Sequence, residues 1–122
     1  MLVALLAFSM PASALETPLM SGTIGKYKIK MKLNINDDTG TITGWYYYTS
    51  KGAKSKIYLS GKGEIFEEDA TVLVEKANGK QTGKFVGTLW TGSMGGTYSY
   101  GISGTWTSPT GKKLDFEVSA ME

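Results

Sequence analysis

Period-two alternation of apolar and polar residues, glycines at strand ends followed closely by aromatics, and short polar turns predict an all-β fold. The expected architecture is a small up-and-down antiparallel β-barrel of seven to eight strands, with a β-sandwich as the second possibility. Glycine leads into an aromatic at Gly25-Lys26-Tyr27, Gly44-Trp45-Tyr46, Gly83-Lys84-Phe85, Gly96-Thr97-Tyr98 and Gly104-Thr105-Trp106. Glycines inside strands let a sheet coil sharply enough to close, and closure removes aggregation-prone edges.

The first element is not part of this domain. Leu2 to Phe8 forms an apolar stretch of signal-peptide length, too short to span a bilayer, although no lysine or arginine precedes it. Ala12-Ser13-Ala14 supplies a small-residue cleavage site. Residues 1–14 are therefore expected to be a signal peptide, and 15–122 a single exported domain, periplasmic or extracellular, beginning at Leu15.

The clearest strand follows. Tyr27, Ile29, Met31 and Leu33 share one face, and Lys26, Lys28, Lys30 and Lys32 the other. Asp37-Asp38-Thr39-Gly40 turns the chain into a strand over 41–49, with Ile42, Gly44, Tyr46 and Tyr48 opposed to Trp45 and Tyr47. Ile57, Leu59 and Gly61 then alternate with Lys56, Tyr58 and Ser60. The β-branched run Thr71–Val74 follows an acidic turn, with Val72 or Leu73 as its inward residue, and Asn78-Gly79 signals a tight type I′ hairpin. Phe85, Gly87 and Leu89 oppose Val86, Thr88 and Trp90, after which Gly92–Gly96 is expected to be a loop. Tyr98, Tyr100, Ile102, Gly104 and Trp106 form a long one-sided stripe, and Leu114, Phe116 and Val118 the inward side of the last strand. Gly22–Ile24 and Gly63–Ile65 are candidates for an eighth strand.

Thr41-Ile42-Thr43-Gly44-Trp45-Tyr46 and Ser103-Gly104-Thr105-Trp106 resemble the strand grammar of avidin-like and lipocalin-like meander barrels, and the whole resembles small exported bacterial β-barrel proteins of unknown function. The resemblance implies fold and export alone. No set of biotin-contacting residues maps onto the chain.

Composition narrows the chemistry. There is no cysteine and no histidine, which excludes disulfides, thiolate catalysis, and the commonest general base and metal ligand. All thirteen basic residues are lysine, so the bidentate fork that reads phosphate and guanine is missing. With a net charge of +2 as well, no nucleic-acid partner is expected. Carboxylates at Glu64, Glu67, Glu68, Glu75, Asp115 and Glu117 show no catalytic or calcium-loop spacing. No enzyme activity, metal or cofactor is expected.

What remains is a non-catalytic binding or interaction protein of the bacterial cell envelope. Its partner would be an envelope protein, a glycan or a small molecule, and the mature domain needs no transmembrane segment. The candidate binding residues are Trp45, Tyr47 and Trp90 on the outer face, and Ser93 and Tyr98 around the glycine-rich segment. The lysine stripe could face an anionic surface such as lipopolysaccharide, teichoic acid or an acidic protein, or serve as a solvated outer face. Two alternatives accompany this. A small-molecule carrier would use a barrel interior lined by Tyr98, Tyr100 and Trp106. Ser93-Met94-Gly95-Gly96-Thr97-Tyr98 also resembles the Ser-Gly…Tyr loop of exported bacterial lysozyme inhibitors, with Met94 in place of the glycine after serine. That resemblance implies cleft insertion through residues 92–98.

Overall fold

The computed structural model describes residues 14–121, all-β throughout. The segment read as a signal peptide lies outside the described residues, save Ala14, whose backbone pairs with Asn36. Nine strands run in chain order: β1 (Ala14–Glu16), β2 (Met20–Ile24), β3 (Tyr27–Asn36), β4 (Thr41–Tyr48), β5 (Ile57–Lys62), β6 (Thr71–Ala77), β7 (Lys80–Met94), β8 (Thr97–Thr107) and β9 (Lys113–Met121). Each strand from β2 to β9 pairs antiparallel with its neighbour in sequence, and β2 also pairs with β9. The result is a closed eight-stranded barrel with β1 as an added strand. Among the described residues no helix is long and apolar enough to cross a membrane.

β1 and β2 lie along the same side of β3, interrupted at Thr17-Pro18-Leu19. Pro18 has no N–H to offer the ladder. Thr17 bridges the gap twice: its N–H donates to the Leu33 carbonyl at 2.9 Å, and its hydroxyl accepts from the Leu33 N–H at 3.0 Å.

Most inward residues are those that the period-two pattern selected, with Met20 and Ile35 added and with Tyr27 and Tyr98, near the barrel ends, exposed. Ile29, Met31, Leu33, Ile42, Tyr46, Leu59, Phe85, Leu89, Ile102, Phe116 and Val118 are all buried. Phe85 packs edge-on against Tyr46 and Phe116, with ring centroids 5.3 and 4.9 Å away. Eight strands enclose a space just wide enough for such side chains to fill. Glycine permits the tight coiling at the seam: a methyl on Gly22 would overlap the carbonyl of Glu117 on β9.

Several expectations change in detail. Leu73 is the inward residue of β6 and Val72 stands outside. Trp106 is half-buried at the rim. Gly22–Ile24 belongs to β2, whereas Gly63–Ile65 stays outside the barrel strands and touches β7 through a single bridge from Ile65 to Leu89. Gly92–Gly96 is not a loop. β7 continues to Met94, and the only turn residues are Gly95 and Gly96, both with positive φ (60° and 86°) as a two-residue primed turn requires. Asn78 and Gly79 adopt the same class of turn, with φ of 53° and 78°.

Leu73→Ala is expected to cost about 2–5 kcal/mol, because it empties a buried site. Val72→Ala should cost under about 1 kcal/mol as a surface change. Denaturant unfolding of both variants checks the facing of β6.

Candidate functional site

The outer face of β3, β4 and β5 brings together a group of aromatics and cations. Because side chains alternate, Tyr46 enters the core while Trp45 and Tyr47 stand outside. Their rings are nearly parallel, 21° apart with centroids 6.0 Å apart. Strand register then sets their neighbours. Lys32, Trp45, Tyr58 and Lys76 are cross-strand partners in one row over β3 to β6, and Lys30 lies opposite Tyr47. The Lys56 ammonium sits 4.3 Å from the centre of the Trp45 ring, within cation–π range. Tyr58 is 62% exposed. Lys32 also meets Glu16 at 3.5 Å, and Lys30 donates to the Ser21 hydroxyl at 2.8 Å. The surface is a flat aromatic strip bordered by lysine on both sides.

Trp90 is not part of it. Two strands, β5 and β6, separate β4 from β7, and the Trp90 ring lies against Gly101 on β8. Ser93 and Tyr98 are cross-strand partners near the tip of the β7–β8 hairpin. With Leu15, Ile65, Thr91, Gly92 and Tyr100 they line an open cleft of about 430 Å³ at the end of the barrel. A second open cleft, about 640 Å³, lies beside it between the turn at 37–40 and the 63–70 connection.

Tyr98 and Trp106 enclose no shared interior volume, since eight strand residues set them about 26 Å apart. Between them the barrel is packed. At the Trp106 end the interior holds a carboxylate instead. Glu75, 5% exposed, accepts from the Tyr46 hydroxyl at 2.5 Å and the Trp106 indole N–H at 3.0 Å through one oxygen. Its other oxygen accepts from the Thr82 hydroxyl at 2.8 Å. A bulge in the β6–β7 ladder makes this possible: Glu75 pairs with Gly83 and Lys76 with Gln81, so Thr82 is the extra residue. Gly83 leaves the space that the carboxylate and the indole occupy. Burial, then the adjacent Glu75 carboxylate, pushes the Tyr46 phenol far above its ordinary range. Burial also raises Tyr48. The carboxylate thus ties β4, β7 and β8 to β6 through three hydrogen bonds.

Sequence reasoning singled out Trp45 and Tyr47 but passed over Tyr58 and Lys56, whose relevance depends on register. It grouped Glu75 with the other carboxylates, although Gly83 at the matching position on the next strand was the available signal. Comparison of the chain with family models, with curated proteins and with solved structures finds no match in any of the three.

Glu75→Ala should cost about 3–5 kcal/mol, because it strands three buried or half-buried donors. A loss under 1 kcal/mol in denaturant unfolding would show that the tie is dispensable. Alkaline pH provides a second check. A phenol whose folded-state pKa is raised stabilises the fold fully below its unfolded value near 10, and loses that contribution as pH rises above it. Stability should therefore fall above about pH 10. Tyr46→Phe should flatten that fall.

Proposed function

We propose that this protein is a non-catalytic binding protein of the bacterial cell envelope that captures its ligand on the outer face of β3–β5. The observation that carries the reading is the cross-strand row of Lys32, Trp45, Tyr58 and Lys76 with Tyr47 and Lys56 beside it. Flat aromatic area with cations at its border is suited to stacking and charge pairing, and Trp and Tyr dominate binding energy where they anchor a ligand. The interior between the barrel ends is filled by Tyr46, Phe85, Phe116 and the surrounding aliphatics, which favours a surface site over a carrier role. The export signal read from residues 1–14 supports the envelope location.

The cleft at Ser93 and Tyr98 supports a second reading, in which the β7–β8 hairpin enters a partner's cleft as an inhibitor would. One experiment separates the two. Purified mature domain is titrated with isolated envelope material, and retention is measured for wild type, Trp45→Ala and Ser93→Ala. Trp45→Ala should weaken retention about thirtyfold, the equivalent of a 2 kcal/mol anchor, with folding intact and Ser93→Ala unchanged. Wild-type retention by Trp45→Ala would refute the outer-face reading. Loss on Ser93→Ala alone would move the site to the hairpin.

A further inference from the structure

The modest net charge of +2 conceals a separation of charge between the connections at the two ends of the barrel, although Lys62 lies among the carboxylates at one end and Asp115 beside the lysines at the other. In an up-and-down barrel successive turns alternate between ends, so the connections fall into two sets. At one end lie the connections at 25–26, 49–56, 78–79 and 108–112. Every charged residue in them is a lysine: Lys26, Lys51, Lys54, Lys56 and Lys112. At the other end lie those at 37–40, 63–70 and 95–96. Every charged residue in these is a carboxylate: Asp37, Asp38, Glu64, Glu67, Glu68 and Asp69. The aromatic strip opens toward the basic end, because Tyr47 is the penultimate residue of β4 there, Tyr58 the second residue of β5 there, and Lys56 belongs to the intervening turn.

We infer that the ligand of the outer face is an acidic glycan, a sugar chain bearing repeated carboxylate or phosphate groups, received with the basic end of the barrel toward it. The inference rests on the outer-face reading above and names its ligand class. Sugar rings offer flat faces for Trp45 and Tyr58, and their acid groups meet the bordering lysines. The row from Lys32 to Lys76 spans three strand spacings, about 14 Å, so charges at both borders call for a chain rather than one small anion. None of five clefts among the described residues is lined by Trp45, Tyr47 or Tyr58, and the one that reaches Lys30 lies beside the aromatics over β2 and β3. Nucleic acid is the less suitable polyanion, since the surface offers strongly hydrated lysine charges and no arginine fork. The acidic end repels the same ligand, which fixes the direction of approach.

The test measures binding of the mature domain to polygalacturonate, to a phosphodiester-linked teichoic acid, to neutral dextran, to polyglutamate and to single-stranded poly-dT, at low and at physiological salt. At least one of the two acidic glycans should bind at least tenfold more tightly than dextran and polyglutamate, and binding should weaken as salt shortens electrostatic range. Which acidic glycan leads tells carboxylate from phosphate. Lys51→Glu with Lys54→Glu, both on the exposed basic turn, should lower that affinity at least tenfold. Asp37→Asn with Asp38→Asn at the opposite end should leave it within twofold. Equal binding of dextran or of polyglutamate, tighter binding of poly-dT, or equal sensitivity to substitution at the two ends would each overturn the inference. If none of the acidic glycans binds while envelope retention still depends on Trp45, the ligand class is wrong and the outer-face reading stands. If envelope retention is indifferent to Trp45, the site itself is wrong.

Discussion

Because β2 hydrogen-bonds to both β3 and β9, the eight barrel strands have no free edge, and their inward side chains must fill whatever space closure encloses. Closure at this strand number leaves room for Tyr46, Phe85, Phe116 and the surrounding aliphatics and for little else. It also dictates glycine where neighbouring backbones press together, as at Gly22 against β9. With no cysteine available, closure and packing hold this small domain together without disulfide cross-links. A filled interior sends the question of function to the surface.

The two ends of the barrel are finished differently. At the basic end, Glu75 is held inside the wall by Tyr46, Thr82 and Trp106, and this polar tie joins strands that are not all neighbours. A carboxylate so enclosed is sustainable only with its hydrogen bonds made, so the bulge at Thr82 and the missing side chain at Gly83 belong to the same device. At the acidic end, Ile65 packs against the core from outside the barrel strands, held where the Phe66 N–H donates to the Leu89 carbonyl at 2.7 Å. The Phe66 backbone sits at a φ of +71° there, uncommon for a non-glycine residue, while its ring is largely exposed.

Facing and closure were legible because lysines alternate with Ile29, Met31 and Leu33, and because Phe116 and Val118 alternate with Asp115 and Glu117. Where both alternating positions are apolar the signal vanishes, which is why Val72 and Leu73 could not be told apart. Gly92–Met94 looked like a loop because glycine and serine are weak strand formers, and the ribbon is held by pairing to Thr97–Ser99 rather than by propensity. The aromatic–lysine row depended on register, which brings Tyr58 beside Trp45 across thirteen residues of chain. The separation of charge was present in the order of the turns all along. A net charge adds the two ends together and so hides it.

An outer face with a charge gradient along the barrel axis makes a single spatial claim: ligand meets aromatics and lysines at one side and one end, and never enters the interior. Amide chemical-shift mapping on isotope-labelled mature domain, titrated with soluble acidic glycan, tests this directly. Shifts should cluster on Lys30, Lys32, Trp45, Tyr47, Tyr58 and the 49–56 turn, with Leu73, Phe85 and Val118 unmoved. Shifts centred on the packed interior, or on Thr91–Tyr98 and the 63–70 connection, would contradict it.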